Sequence, residues 1–218
     1  LGQPVGISLA WAAWAIGLGL LGAVLAVYTG MAFKILGRIM GVFKDRVIER
    51  VLVAGLIIAV VCYFIPELLF SGESSIHLII DNPGQYGVAM LLLMGLLKPL
   101  LLALSLKSGY LGGPLFPALF MAVMVALAIS LLAPGVPLAI LVACLEVGVV
   151  TLLLKAPLTA ILLVAVLAGV GTDATMLGLI TVSAVTSLIA GRAFEKLMAR
   201  RQTAEEPVDS PAAGTPGP

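Results

Sequence analysis

Charge is scarce in this chain: Asp, Glu, Lys and Arg make up 11% of its 218 residues, against 61% hydrophobic ones. A soluble domain carries about a quarter of its residues charged, so a water-soluble globular protein is excluded. Aromatics are few as well, at 6%. The single histidine, His77, rules out a multi-histidine metal cluster built by this chain alone. Cys62 and Cys144 both fall inside apolar runs, which argues against a disulfide or a metal site. No metal and no cofactor is expected. The chain opens at Leu1 without a Met or a basic n-region, so no signal peptide is read and a start inside a longer protein is expected.

What is abundant is Leu, Ala, Val, Ile and Gly, a mixture that suits helices packed against lipid and, through their small residues, against each other. The formal net charge is only +1, yet the charges are unevenly placed. Lys34, Arg38, Lys44, Arg46 and Arg50 lie between the first two apolar runs, and Arg192, Lys196, Arg200 and Arg201 follow the last. Residues 66–85 hold Glu67, Glu73 and Asp81 but no Lys or Arg. This bias puts 34–50 and the C-terminus in the cytoplasm and 66–85 outside. Because the basic clusters adjoin spans, they are topology signals, and no nucleic-acid partner is expected.

The expected spans are 7–33, 47–65 and 86–106, with a short amphipathic piece at 74–80 and a turn at 81–84. Lys98 sits within the third span and is expected to snorkel to the cytoplasmic side. Ser108 to Pro117 then holds Gly109, Gly112, Gly113, Pro114 and Pro117, so continuous helix is excluded and a helix start near Pro114 is predicted. Apolar segments follow at 118–132, 138–154, 157–170 and 174–190, several of them short enough to be tilted or partial spans. A transmembrane domain over 1–201 and a disordered cytoplasmic tail over 202–218 are expected. Broken helices joined by Gly/Pro loops are the pattern of transporters and channels, where half-helix N-termini point at an anion near the bilayer midplane.

The stretch SGYLGGPLFPALF, from Ser108, resembles the motif of the CLC chloride channel and proton-coupled chloride antiporter family, in which Ser-Gly and Gly-Gly pairs precede a Phe and a Pro at the start of a buried helix. Lys155-Ala156-Pro157-Leu158-Thr159 is similar to that family's Arg/Lys-Ala-Pro-Leu-Thr junction, at matching spacing. Phe70-Ser71-Gly72-Glu73 is a weaker match, and order and lengths agree over about 7–190. The resemblance implies an all-α polytopic membrane protein, the second of two inverted-repeat halves, with tilted and partly re-entrant helices. It further implies transport of chloride or a similar anion, as channel or antiporter, by a homodimer in the plasma membrane. The first-half motifs Gly-Ser-Gly-Ile-Pro and Gly-Arg/Lys-Glu-Gly-Pro, the latter with the gating glutamate, have no counterpart here.

Carried over by position, the anion path would involve Gly112, Gly113, Leu115 and Phe116. The family's anion contacts are backbone N–H groups just after the Gly-Gly pair, where a helix start favours negative charge. Two departures matter: Pro114 has no N–H, and Phe194 stands nearest to where the family closes the path with a Tyr hydroxyl. Glu146, an acid within an apolar span, is a candidate ion relay or a paired structural group. The departures also leave open a degenerate, non-transporting membrane scaffold. An intramembrane enzyme is the remaining alternative, but Glu67, Glu146 and Asp173 form no paired catalytic set and His77 is near no nucleophile serine within a span. The chain is therefore not expected to be an enzyme.

Overall fold

A computed structural model describes residues 8–43, 46–70 and 73–205. Among them there are helices and no strand. The long helices are α1 (Leu9–Gly41), α2 (Val47–Phe64), α4 (Gly87–Ser108), α5 (Leu115–Leu132), α6 (Leu138–Leu154) and α8 (Ala174–Glu205). Two shorter ones are α3 (Glu73–Asp81) and α7 (Pro157–Leu167), and single 3-10 turns at Pro66–Leu68 and Pro83–Gln85 flank α3. Five helices, α1, α2, α4, α5 and α8, are long and apolar enough to cross a membrane. At about 1.5 Å per residue, α7 reaches little more than half of the roughly 30 Å hydrocarbon core and is a partial span.

The breaks fall where backbone chemistry requires them. Pro66 ends α2, and Pro157 opens α7 at a first-turn position where its missing N–H costs nothing. The first helix runs eight residues beyond the expected end at Phe33, through Lys34 and Arg38 to Gly41. Both are good helix formers, so their charge marks where the apolar span ends and not where the helix ends. For the same reason α8 continues past Ala190 to Glu205, so residues 202–205 of the expected tail are helical. The rest of the tail, 206–218, lies outside the described residues, as do Ser71 and Gly72 of the weaker motif match.

The core is built on α5 and α6. Both are apolar all round, and α5 is buried from Pro117 to Ala128 and α6 from Ala139 to Thr151. Their neighbours are α4 beside α5, and α1, α7 and α8 beside α6. Leu127, which by its apolar character alone would face lipid, is completely enclosed in this core.

Three of the helices run in the same direction with their backbones touching. Ser183 Oγ donates to the Cys144 carbonyl and Ser187 Oγ to the Gly148 carbonyl, both at 2.6 Å, a constant offset that fixes α6 parallel to α8. A Cβ placed on Gly22 of α1 would stand 2.8 Å from Gly148 Cα, so only glycine admits this approach. Small residues and interhelical hydroxyl bonds hold helices together in lipid, where no hydrophobic force draws them.

Candidate functional site: the interrupted apolar segment between α4 and α5

The chain leaves α4 through a glycine-capped turn. Gly109 has φ 110, its N–H donates to the Leu106 carbonyl at 3.4 Å, and the Tyr110 N–H reaches back to Ser105 O at 3.2 Å. That pair of bonds is the Schellman arrangement, and the left-handed residue is one that glycine adopts without a Cβ penalty. The Ser108 carbonyl is satisfied from α2, by Arg50 Nε at 3.2 Å. A second tie joins the same elements, from the Tyr110 hydroxyl to Val51 O at 3.1 Å.

Residues Tyr110 to Gly113 are exposed, and α5 then begins at Leu115 with Pro114 as its N-cap. This is one residue later than a start at Pro114 itself. No side chain caps the helix; its first bond runs from the Ala118 N–H to Pro114 O at 3.2 Å. A helix start normally presents four orphan N–H groups, but Pro114 and Pro117 carry none. Leu115 and Phe116 thus keep the remaining donors, and neither has an acceptor among the described residues. Phe116 is 43% exposed, and a Cβ added to Gly113 meets nothing within 4 Å. The helix start opens away from the chain's own core, with the positive end of its dipole outward.

Of the residues singled out from the sequence, Gly112, Gly113, Leu115 and Phe116 lie together on this one segment. Phe194 is on α8, partly exposed, and α8 packs against α1, α6 and α7. Glu146 is in the middle of α6, 7% exposed, with no hydrogen bond or ion pair among the described residues.

Lys98 is the residue whose role the sequence misplaces. It is 2% exposed and does not snorkel along α4 toward Lys107; it turns the other way. Its Nζ donates to the carbonyls of Leu68 at 2.7 Å and Phe70 at 2.8 Å, and lies 5.0 Å from the centre of the Phe120 ring. The direction follows from helix geometry, since side chains lean toward the N-terminus of their own helix. Phe70 itself takes φ 50, unusual for a bulky residue.

The charged groups sort to two ends. Arg50 with Ser108, Lys107 with the Phe33 ring at 5.9 Å, and Lys155 with Arg192 around one cavity occupy one end, called here the basic end. At the opposite end the Tyr86 hydroxyl donates to Glu67 Oε1 at 3.1 Å. Its pKa is raised above the ordinary tyrosine value by desolvation first, then by the hydrogen bond to Glu67 and that carboxylate's charge.

The family described as voltage gated chloride channel matches residues 3–191, and the chain belongs to that family. It is thus an integral, multi-pass membrane protein of a family that moves chloride and similar anions, as channels or antiporters, and whose members are not enzymes. No curated protein and no solved structure matches the chain.

Proposed function

We propose that this chain is the C-terminal half of an anion transporter, and that the start of α5 lines the path of chloride or a similar small anion. One observation carries this: the Leu115 and Phe116 N–H groups sit at an uncapped helix start interrupting an apolar segment, without acceptors among the described residues. Where water is scarce such donors need a partner, and a permeating anion or a wet vestibule supplies one. The missing donors at Pro114 and Pro117 leave two N–H groups to face a small anion. Phe194 closes nothing by hydrogen bonding, so any inner constriction there is steric.

Glu146, buried without a partner in the described residues, is the proposed proton or ion relay. Glu146→Gln decides this: lost proton coupling with retained anion flux supports a relay, and unchanged coupling removes it. The basic end is proposed to face the cytoplasm, by the Lys/Arg bias, in the plasma membrane. A homodimer of the parent finds support in the exposed stripe Leu158, Leu162 and Val166 on α7.

Reconstitution tests the proposal. Liposomes carrying the longer parent protein should pass chloride, and those carrying only residues 1–218 should match empty vesicles. Flux from residues 1–218 alone would reject the half-transporter, and no flux from the parent would favour the scaffold alternative that Pro114 and Phe194 leave open.

A further inference from the structure

The parallel helices α1, α6 and α8 touch closely at Gly19, Gly22, Gly148 and Ser187, and toward the basic end α6 and α8 still meet at Leu152 and Gly191. There α6 stops at Leu154, where Lys155 takes a left-handed φ of 53, while α1 and α8 continue. The shorter helix leaves a cavity of about 480 Å³ beyond its C-terminus. Phe33 of α1, Leu152 of α6 and Leu188 of α8 supply apolar wall, and Lys155, Arg192 and Glu195 supply charge. The three charged residues are exposed, and among the described residues none is in an ion pair.

These groups are unlike those of a site for a simple anion. A free phosphate would press its hydration shell against apolar wall and face the Glu195 carboxylate, both unfavourable. An amphiphile has an apolar part for the wall. Two cations beside one carboxylate match a headgroup bearing a phosphodiester and an ammonium, since each charge then meets its opposite. The position agrees, because Lys155 ends α6 and Arg192 follows the last apolar run of α8, where hydrocarbon gives way to headgroups.

We propose that this cavity binds a membrane glycerophospholipid with an amine headgroup. Lys155 and Arg192 hold its phosphate, Glu195 its ammonium, and Phe33, Leu152 and Leu188 the first acyl carbons. The site depends on these charges and not on conduction through the α5 start, so either can fail without the other.

Native mass spectrometry of the detergent-purified 218-residue chain tests it, with phosphatidylethanolamine, phosphatidylglycerol of the same acyl chains, and inorganic phosphate as probes. The chain should retain phosphatidylethanolamine about tenfold more tightly than phosphatidylglycerol, a difference of about 1.4 kcal/mol. Phosphate should neither bind saturably nor displace the lipid. Lys155→Gln with Arg192→Gln should lose retention of both lipids, and Glu195→Gln should narrow the preference between them. All three side chains are exposed, so the variants should keep the helix content of the parent chain by circular dichroism. Equal retention of phosphatidylethanolamine by the chain and the double variant would overturn the site, as would a preference for phosphatidylglycerol or displacement by phosphate.

Discussion

Arg50 Nε donates to the Ser108 carbonyl at 3.2 Å, tying the first turn of α2 to the last residue of α4. The Tyr110 hydroxyl, bonded to Val51 O, lies only 2.7 Å from where a Cβ on Gly55 would stand, so α2 is shaped to receive it. The segment leading to α5 is thereby held from outside its own helices. Arg50→Met should free Ser108 and loosen the turn, raising the hydrogen exchange of the bonded Gly109 and Tyr110 amides about tenfold or more, since a bond from a charged donor contributes about 1.5–3 kcal/mol. Unchanged exchange would show that the Schellman turn alone fixes the segment.

The glycines of the α1–α6 crossing should differ among themselves in a set order. Gly22→Ala brings a methyl within 2.8 Å of Gly148 backbone, whereas Gly148→Ala meets Gly22 Cα at 3.3 Å and Gly30→Ala meets nothing within 4 Å. Overpacking of the first kind costs about 1–3 kcal/mol. Thermal unfolding in detergent should rank Gly22→Ala least stable, Gly148→Ala intermediate and Gly30→Ala unchanged or slightly raised. Any other order contradicts the packing.

Lys98→Met keeps the length of the side chain but removes the donor to Leu68 and Phe70. Two carbonyls lose their partner, at a cost of about 1–3 kcal/mol each if they stay dry. Because Phe70 sits at positive φ, the segment should relax outward and become accessible to protease. Cleavage between Pro66 and Phe70 no faster than in the unsubstituted protein would show that Lys98 is not the tether.

Sidedness is open to direct labelling. A cysteine replacing Arg46 or Lys196 should react with an impermeant maleimide only from the cytoplasm, and one replacing Asp81 only from outside. The native Cys62 and Cys144 are buried and should contribute little background. Labelling of Asp81 and Lys196 positions from the same face would contradict the two-ended arrangement.

Much of this was legible from composition and from proline and glycine. The break between α4 and α5 follows from Pro114 and Pro117 having no N–H, whatever surrounds them. The ends of α2 and α6 follow similarly from Pro66 and the Lys155-Ala156-Pro157 junction. The overrun of α1 was hidden because Lys34 and Arg38 signal the edge of the apolar run, while helix propensity carries on through them. Leu127 reads as lipid-facing yet lies in the core, since an apolar side chain satisfies either solvent equally. Lys98 was misdirected because its partners, Leu68 and Phe70, are backbone carbonyls about thirty residues away in the chain, and carbonyls leave no mark in a sequence. The cavity beside Lys155 arises from α6 ending before its neighbours do, a relation among three helices that no single segment displays.

The central claim, that the start of α5 lines the anion path, turns on chloride flux through the parent protein carrying Gly113→Val. The chain leaves open space around Gly113, and valine readily takes the extended backbone favoured before Pro114, so the variant should fold and assemble normally. Its side chain would project into the open space ahead of the α5 start, on the approach to the N–H groups of Leu115 and Phe116. Flux should fall about tenfold or more, equivalent to about 1.4 kcal/mol on the rate-limiting step, with protein yield and size-exclusion profile unchanged. Flux equal to that of the unsubstituted protein would contradict the claim and reduce the segment to a packing turn.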